Sequence, residues 1–452
     1  MKRLSQHVLA LGVLFGLCFS VMSTAMAEEK AAGDRFEYNI YWRLGLNTSS
    51  DLKEDSDTQG THKLFYDVPT SRHVKSPSYF WSRFAKIFAN GVEAVAKVDS
   101  ETALPHESSW ERQTEPVFRV RDLYLQLPID ADSNVWAGSR VFEFEDIRLL
   151  DVLNHFNVNG YGVGANVGKL MGVLSFENQK VNEQVELVDT NTVTPLVREN
   201  LAATRKNVRA LVRYEIPVGT DMAVKPMVRM VSYGSIPEKE YGPGQTQQKV
   251  KGASEYSFGG VFSRWSANYW GNTMLWIQNR PVDSLGKESG SDMVIGVGDS
   301  VSFTTDKVGV LTAIWIEQES YKNKKQVFKV SSGTLIPDGD KTTKSVLKTS
   351  LAVQPIYYVT NKVHAALDMN YAAKNMKTSG GVNPDGSFNG QDFNSLLVTP
   401  IVRYTTAKGT LGNPQIYTSV TYGKYDWKAK KNASGKPTDS LVTTQTGFEV
   451  WF

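Results

Sequence analysis

Hydrophobic and polar positions alternate with period two through most of this chain. In VTTQTGFEVWF, Val442, Thr444, Thr446, Phe448, Val450 and Phe452 share one face, and Thr443, Gln445, Gly447, Glu449 and Trp451 share the other. That is a strand with one apolar and one mixed face. DRFEYNIYWRLGLN repeats the pattern, with Phe36, Tyr38, Ile40, Trp42, Leu44 and Leu46 opposite Glu37, Asn39, Tyr41, Arg43 and Asn47. VRALVRYEIP and DKVGVLTAIWIEQES do so again. LAVQPIYYVTNKVHAALDMNYAAKN predicts a hairpin with a tight turn at Thr360–Lys362. Between such pairs lie long polar loops, among them SIPEKEYGPGQTQQKVKGAS and SGGVNPDGSFNGQDFN.

Short turns alternating with long polar loops predict a transmembrane antiparallel β-barrel, and an all-β fold. A soluble sheet sandwich would also alternate, but its core would have to bury the Arg, Glu, Asn and Gln of the second face at a heavy desolvation cost. A water-filled lumen has no such problem. Aromatics of the apolar faces near strand ends, at Tyr38, Trp42, Tyr214 and Tyr357, fit interfacial girdles.

The N-terminus supports export. Lys2 and Arg3 precede an apolar run and Ala25-Met26-Ala27, so residues 1–27 read as a secretory signal peptide and 28–452 as one domain. The single cysteine, Cys18, lies within that peptide, so no disulfide is expected. Its removal takes Lys2 and Arg3 and no acid from a chain with 50 basic and 47 acidic side chains, leaving the balance near neutral. No basic patch suits nucleic acid. No later stretch is apolar over the roughly 18 residues of a helical span. The histidines His62, His73, His106, His155 and His364 accompany no GxSxG and no metal-ligand spacing, so no enzyme activity, cofactor or metal is expected. His364, by its parity, reads as a lumen residue.

IYWRLG, SSWERQTEPVFRVRDLYLQL, the stretch from NVWAGSR to GYGVGANVGKLMGVLSF, LAVQPIYYVTNKVHAALDMNY, GNPQIYTSVTYGKYDW and the terminal GFEVWF resemble, in this order, the maltoporins and their carbohydrate-specific outer-membrane relatives. The resemblance implies a closed barrel of 18 strands, usually a homotrimer, with an inward-folded constriction loop over about residues 142–164. It also implies passive, facilitated diffusion of sugars along an aromatic lane. In that lane it places Tyr41, Trp451 and Trp110, the last reaching over from a neighbouring subunit, with Trp81 and Trp270 as looser candidates. Arg43, Arg119, Asp146 and Asp151 fall in the polar track. The terminal Phe452 matches the signal read by the outer-membrane assembly machinery. Flat rings stack on the apolar faces of a sugar while polar groups exchange hydrogen bonds with its hydroxyls, so binding is weak and each step costs little.

Several positions depart from the family. Leu153 stands where a tyrosine is usual at the narrowest point, Arg148 replaces a histidine, Phe144 an arginine and Leu411 a tryptophan. The same residues have plainer readings. Tyr41 could fill the lumen, Trp110 could pack on its own barrel, Arg43 and Arg119 could line an aqueous pore, and Asp146 and Asp151 could form ion pairs with nearby arginines. A general or differently selective porin on the same fold is the alternative, and a surface receptor working through the long loops is a third.

Overall fold

The computed structural model describes residues 33–49, 79–100, 118–142, 149–150, 156, 158–186, 198–235, 239–242, 245–247, 252–282, 288–331, 334–376, 393–408, 414–426 and 440–451. The predicted signal peptide, Trp110, Asp146, Arg148, Asp151, Leu153 and Phe452 lie outside them, as do Phe144 and Leu411.

Eighteen long strands occur among the described residues. They are β1 (Arg35–Ser49), β2 (Tyr79–Ile87), β3 (Glu93–Ser100), β4 (Phe118–Asp130), β5 (Ser133–Phe142), β6 (Val158–Val167), β7 (Leu170–Glu186), β8 (Arg198–Tyr214) and β9 (Met222–Tyr233). There follow β10 (Ala253–Ser266), β11 (Tyr269–Val282), β12 (Glu288–Thr304), β13 (Val308–Ser331), β14 (Thr334–Tyr358), β15 (Val363–Met376), β16 (Phe393–Thr405), β17 (Gln415–Asp426) and β18 (Ser440–Trp451). Each pairs antiparallel with its sequence neighbours, and β1 pairs with both β2 and β18, which closes the barrel. Closure leaves no open edge, the condition for placing strands in lipid.

The seam is staggered. The first half of β1, from Arg35 to Arg43, lies along β2, and the second half, from Tyr41 to Ser49, lies along β18. Tight turns close one end. At Thr360 the hydroxyl oxygen accepts from the backbone N–H of Lys362 at 3.1 Å and of Val363 at 2.9 Å, fixing the predicted hairpin between β14 and β15.

The two faces sort as the alternation predicts. Tyr38, Trp42, Tyr214 and Tyr357 are exposed on the outside, as are Leu123, Leu125 and Leu127 of β4. His364 is fully buried on the inside. Its Nδ1 accepts from Arg403 Nε at 3.3 Å, its ring meets Tyr358 edge-on at 4.6 Å, and Nε2 lies 3.3 Å from the Asn361 carbonyl.

The mixed inner face includes an apolar part: Trp136, Leu211, Met227, Val261, Trp276, Leu311 and Trp315 belong to one buried apolar cluster, together with Leu149, Leu150 and Phe156 from the connection between β5 and β6. One expectation needs correction: that connection is shorter than 142–164. GYGVGAN is strand: β6 begins at Val158, with Tyr161 and Val163 exposed outside and Gly160, Gly162 and Gly164 across from Arg140, Gly138 and Trp136. Glycine-rich sequence here marks close approach of a neighbour rather than a loop.

Candidate functional site: the inner wall of the barrel

Tyr41 is buried at the seam. Its hydroxyl donates to Glu449 Oε1 at 2.5 Å, and Gln415 Nε2 donates to the other oxygen of the same carboxylate at 2.7 Å. Its ring stands 6.0 Å from that of Trp81, tilted by 31°. The register sets Tyr41 directly across from both Trp81 and Trp451. Three predicted lane positions, on β1, β2 and β18, are therefore adjacent on one stretch of wall. Arg43 shares the face parity of Tyr41 and stands across from Glu449 and Tyr79. Trp270 is not brought to this place: it is the second residue of β11, across from Trp265 and Ser302, on the far side of the barrel from β1.

Glu449 is 1% exposed, so truncating it removes a charged acceptor from both the Tyr41 hydroxyl and the Gln415 amide. Hydrogen bonds to charged groups contribute about 1.5–3 kcal/mol each. Glu449→Ala is expected to lower the temperature at which the folded barrel converts to unfolded chain on a gel, while Lys362→Ala, on an exposed turn, leaves it unchanged.

Arg119 stands across from Asp99 in the register, and Arg121 forms an ion pair with Asp99 at 3.3 Å. The β3–β4 register shifts after Lys97, so β4 carries an additional residue there and Arg121 joins Asp122 on the inner side.

Other inner-wall charges are matched in the same way. Arg83 pairs with Glu93, Arg209 with Glu177 and Arg229 with Glu255. Arg264 and Thr273 both meet Asp299, at 3.0 and 2.5 Å, and Lys348 meets Glu319 at 2.6 Å. Paired charges of both signs give a wall that water wets.

Three tryptophans that the sequence reading did not single out line this wall. Trp136 lies over Gly164: a Cβ there would meet the indole Nε1 at 2.4 Å. Trp276 lies over Gly296, where a Cβ would meet its Cζ2 at 2.0 Å. Trp315 stands across from Gly298, and its ring is 6.4 Å from that of Trp276. The signal was present as glycines at alternate positions in GYGVG and IGVGD, of which Gly164, Gly296 and Gly298 stand across from Trp136, Trp276 and Trp315. A ring laid flat on a glycine adds aromatic surface while filling little of the bore.

Phe156, in the β5–β6 connection, reaches a distant strand of the wall. Its Cζ would be 2.7 Å from a Cβ on Gly259 of β10, four strands beyond β6 around the barrel. Leu149 and Leu150 are fully buried beside it. These residues lie within the barrel, against its wall.

No curated protein matches the chain. Among solved structures it is similar to OmpT of Vibrio cholerae in a trimer form (TM-score 0.41, 10% identity, 93% of this chain and 100% of that one). It is similar to an anion-selective porin from Comamonas acidovorans (0.42, 10%, 93% and 100%) and to OpdK of Pseudomonas aeruginosa, solved with vanillate (0.46, 9%, 92% and 98%). At this level the likenesses bear on neither cargo nor assembly. The model of the LamB porin family matches residues 36–452, from the first strand through the closing strand. With that match and a closed 18-stranded barrel, the chain belongs to the LamB porin family and is an outer-membrane channel protein of Gram-negative bacteria.

Proposed function

We propose that this barrel conducts sugars passively and saturably along an aromatic stretch of its inner wall. The observation that carries this reading is the Tyr41–Trp81 pair, 6.0 Å apart with a 31° tilt, with the backbone of Trp451 in the same rung. The Tyr41 ring is fixed by its bond to Glu449 rather than by an apolar core, as a platform for a passing solute must be. Aromatic contacts are worth about 0.5–1.5 kcal/mol each beyond area, which suits binding that does not trap.

Trp110 joins the platform in this reading, and Arg43, Arg119, Asp146, Arg148 and Asp151 exchange hydrogen bonds with hydroxyls. The β5–β6 connection, with Leu153, narrows the bore, and three copies of the chain assemble together. Passage runs down the gradient, without chemistry or a cofactor. Phe452 is read by the assembly machinery, and residues 1–27 are removed on export.

A less selective porin is favoured by one contact: Lys97 Nζ sits 4.6 Å from the centroid of Trp81 and covers a face that a sugar would use. Ion current through the purified protein in a planar bilayer separates the two. In the sugar channel, a sugar blocks the current saturably and Tyr41→Ala weakens the block about three- to tenfold. In the less selective porin, no sugar in the panel blocks.

A further inference from the structure

The wall next to the Tyr41–Trp81 pair carries an excess of positive charge in one place. Among the described side chains of β2 to β5, Arg83, Lys97, Arg121 and Arg140 lie on the inner side with three acids, Glu93, Asp99 and Asp122. Each acid is engaged. Glu93 takes Arg83 and, at 3.2 Å, the Gln126 amide. Asp99 takes Arg121. Asp122 accepts the backbone N–H of Val141 at 2.8 Å, and its one charge is shared between Lys97 and Arg140 on either side of it.

Lys97 and Arg140 are left on aromatic faces. Lys97 rests over Trp81. The Arg140 guanidinium lies 4.4 Å from the ring centroids of both Tyr124 and Phe142, and 5.5 Å from that of Trp136. Its described hydrogen bond is a long one, 3.5 Å to Gln126 Oε1. Neither cation forms an ion pair among the described residues.

Where water has access, a ring face is a weaker partner for a cation than a charge-assisted hydrogen bond to an anion. Both cations are therefore held in place but remain underused. The register sets Lys97 across from Asp122, and Arg140 is the next strand's neighbour, so the two stand about two strand spacings, about 10 Å, apart on one rung.

We propose that Lys97 and Arg140 form an anion-holding subsite beside the aromatic pair, and that the preferred cargo is a sugar bearing a carboxylate. The carboxylate draws the Lys97 ammonium off Trp81, which uncovers that ring for the sugar's apolar face. One event thus satisfies the cation and frees the platform. Arg140 takes the anion as it moves along the wall. A neutral sugar lacks the group that lifts Lys97 and meets a covered ring.

The proposal rests on the sugar-channel reading, and the test separates the two. Block of ion current is titrated with glucuronate and with glucose at neutral pH, in the wild type, Lys97→Ala, Arg140→Ala and the control Lys362→Ala. Each variant is first checked for a heat-resistant folded band on a gel. Glucuronate is expected to block about tenfold more tightly than glucose. Lys97→Ala and Arg140→Ala should each remove most of that advantage and leave glucose block as strong or stronger, and Lys362→Ala should change nothing. Block by glucose with no advantage for glucuronate overturns the subsite and leaves the sugar channel standing. An advantage that survives both lumen substitutions also overturns it. Absence of block by either sugar overturns both readings.

Discussion

Phe156→Ala should raise single-channel conductance and add noise to the open level, with the barrel intact. Phe156 is 2% exposed and occupies the space above Gly259, where the strand offers no side chain. Truncating a packed phenylalanine to alanine costs about 3–5 kcal/mol. A connection held by Phe156, Leu149 and Leu150 cannot lose that much and keep one position. The strands retain their own hydrogen-bond ladders, so the cost falls on the connection. Phe156→Leu, which refills part of the notch, should restore most of the wild-type trace. Unchanged conductance in Phe156→Ala would show that this residue does not anchor anything that limits the current.

Gly138→Val should have the largest effect on assembly. Gly138, in WAGSR, has φ +137°, and a Cβ there would lie 2.3 Å from the Leu123 carbonyl oxygen and 2.7 Å from Tyr124 Cα. Both are backbone atoms, and neither can turn aside. A β-branched residue also does not tolerate that φ. Backbone strain alone costs on the order of 1–3 kcal/mol, and the separation of β4 from β5 adds to it. The amount of folded protein reaching the outer membrane is expected to fall at least about tenfold. Gly172→Val is the matched control, because nothing lies within 4 Å of a Cβ there. Equal yields from the two variants would remove close approach as the reason for glycine at 138.

Much of this fold was readable because each strand meets two different solvents. Tyr38 and Trp42 faced out and His364 faced in on alternation alone, since shifting a strand by one residue would exchange those environments. Three features escaped for reasons that local pattern cannot express. Glycine carries no polarity, so Gly160, Gly162 and Gly164 erased the alternation of β6 and it passed for loop. One additional residue in β4, at Arg121, interrupts the alternation and brings a second arginine to Asp99, which the register already sets across from Arg119. The inward tryptophans became recognisable only with their glycine partners, and Trp276 meets Gly296 through a register fixed by pairs along the whole of β11 and β12. Tyr41 was legible as an inward ring, but its carboxylate partner Glu449 lies 408 residues away and is supplied by closure.

The divided seam has a consequence for the order of events in assembly. Residues 44–49 of β1 have β18 as their pairing strand, while the preceding half of β1 is already served by β2. The first strand to be synthesised must therefore wait, half-used, for the last. Until residues 443–451 arrive, the chain is a curved sheet with two raw edges, each able to recruit a strand from any chain nearby. A break within β18 removes more than one strand's share of contacts, because it leaves the upper part of β1 as a standing template for mispairing.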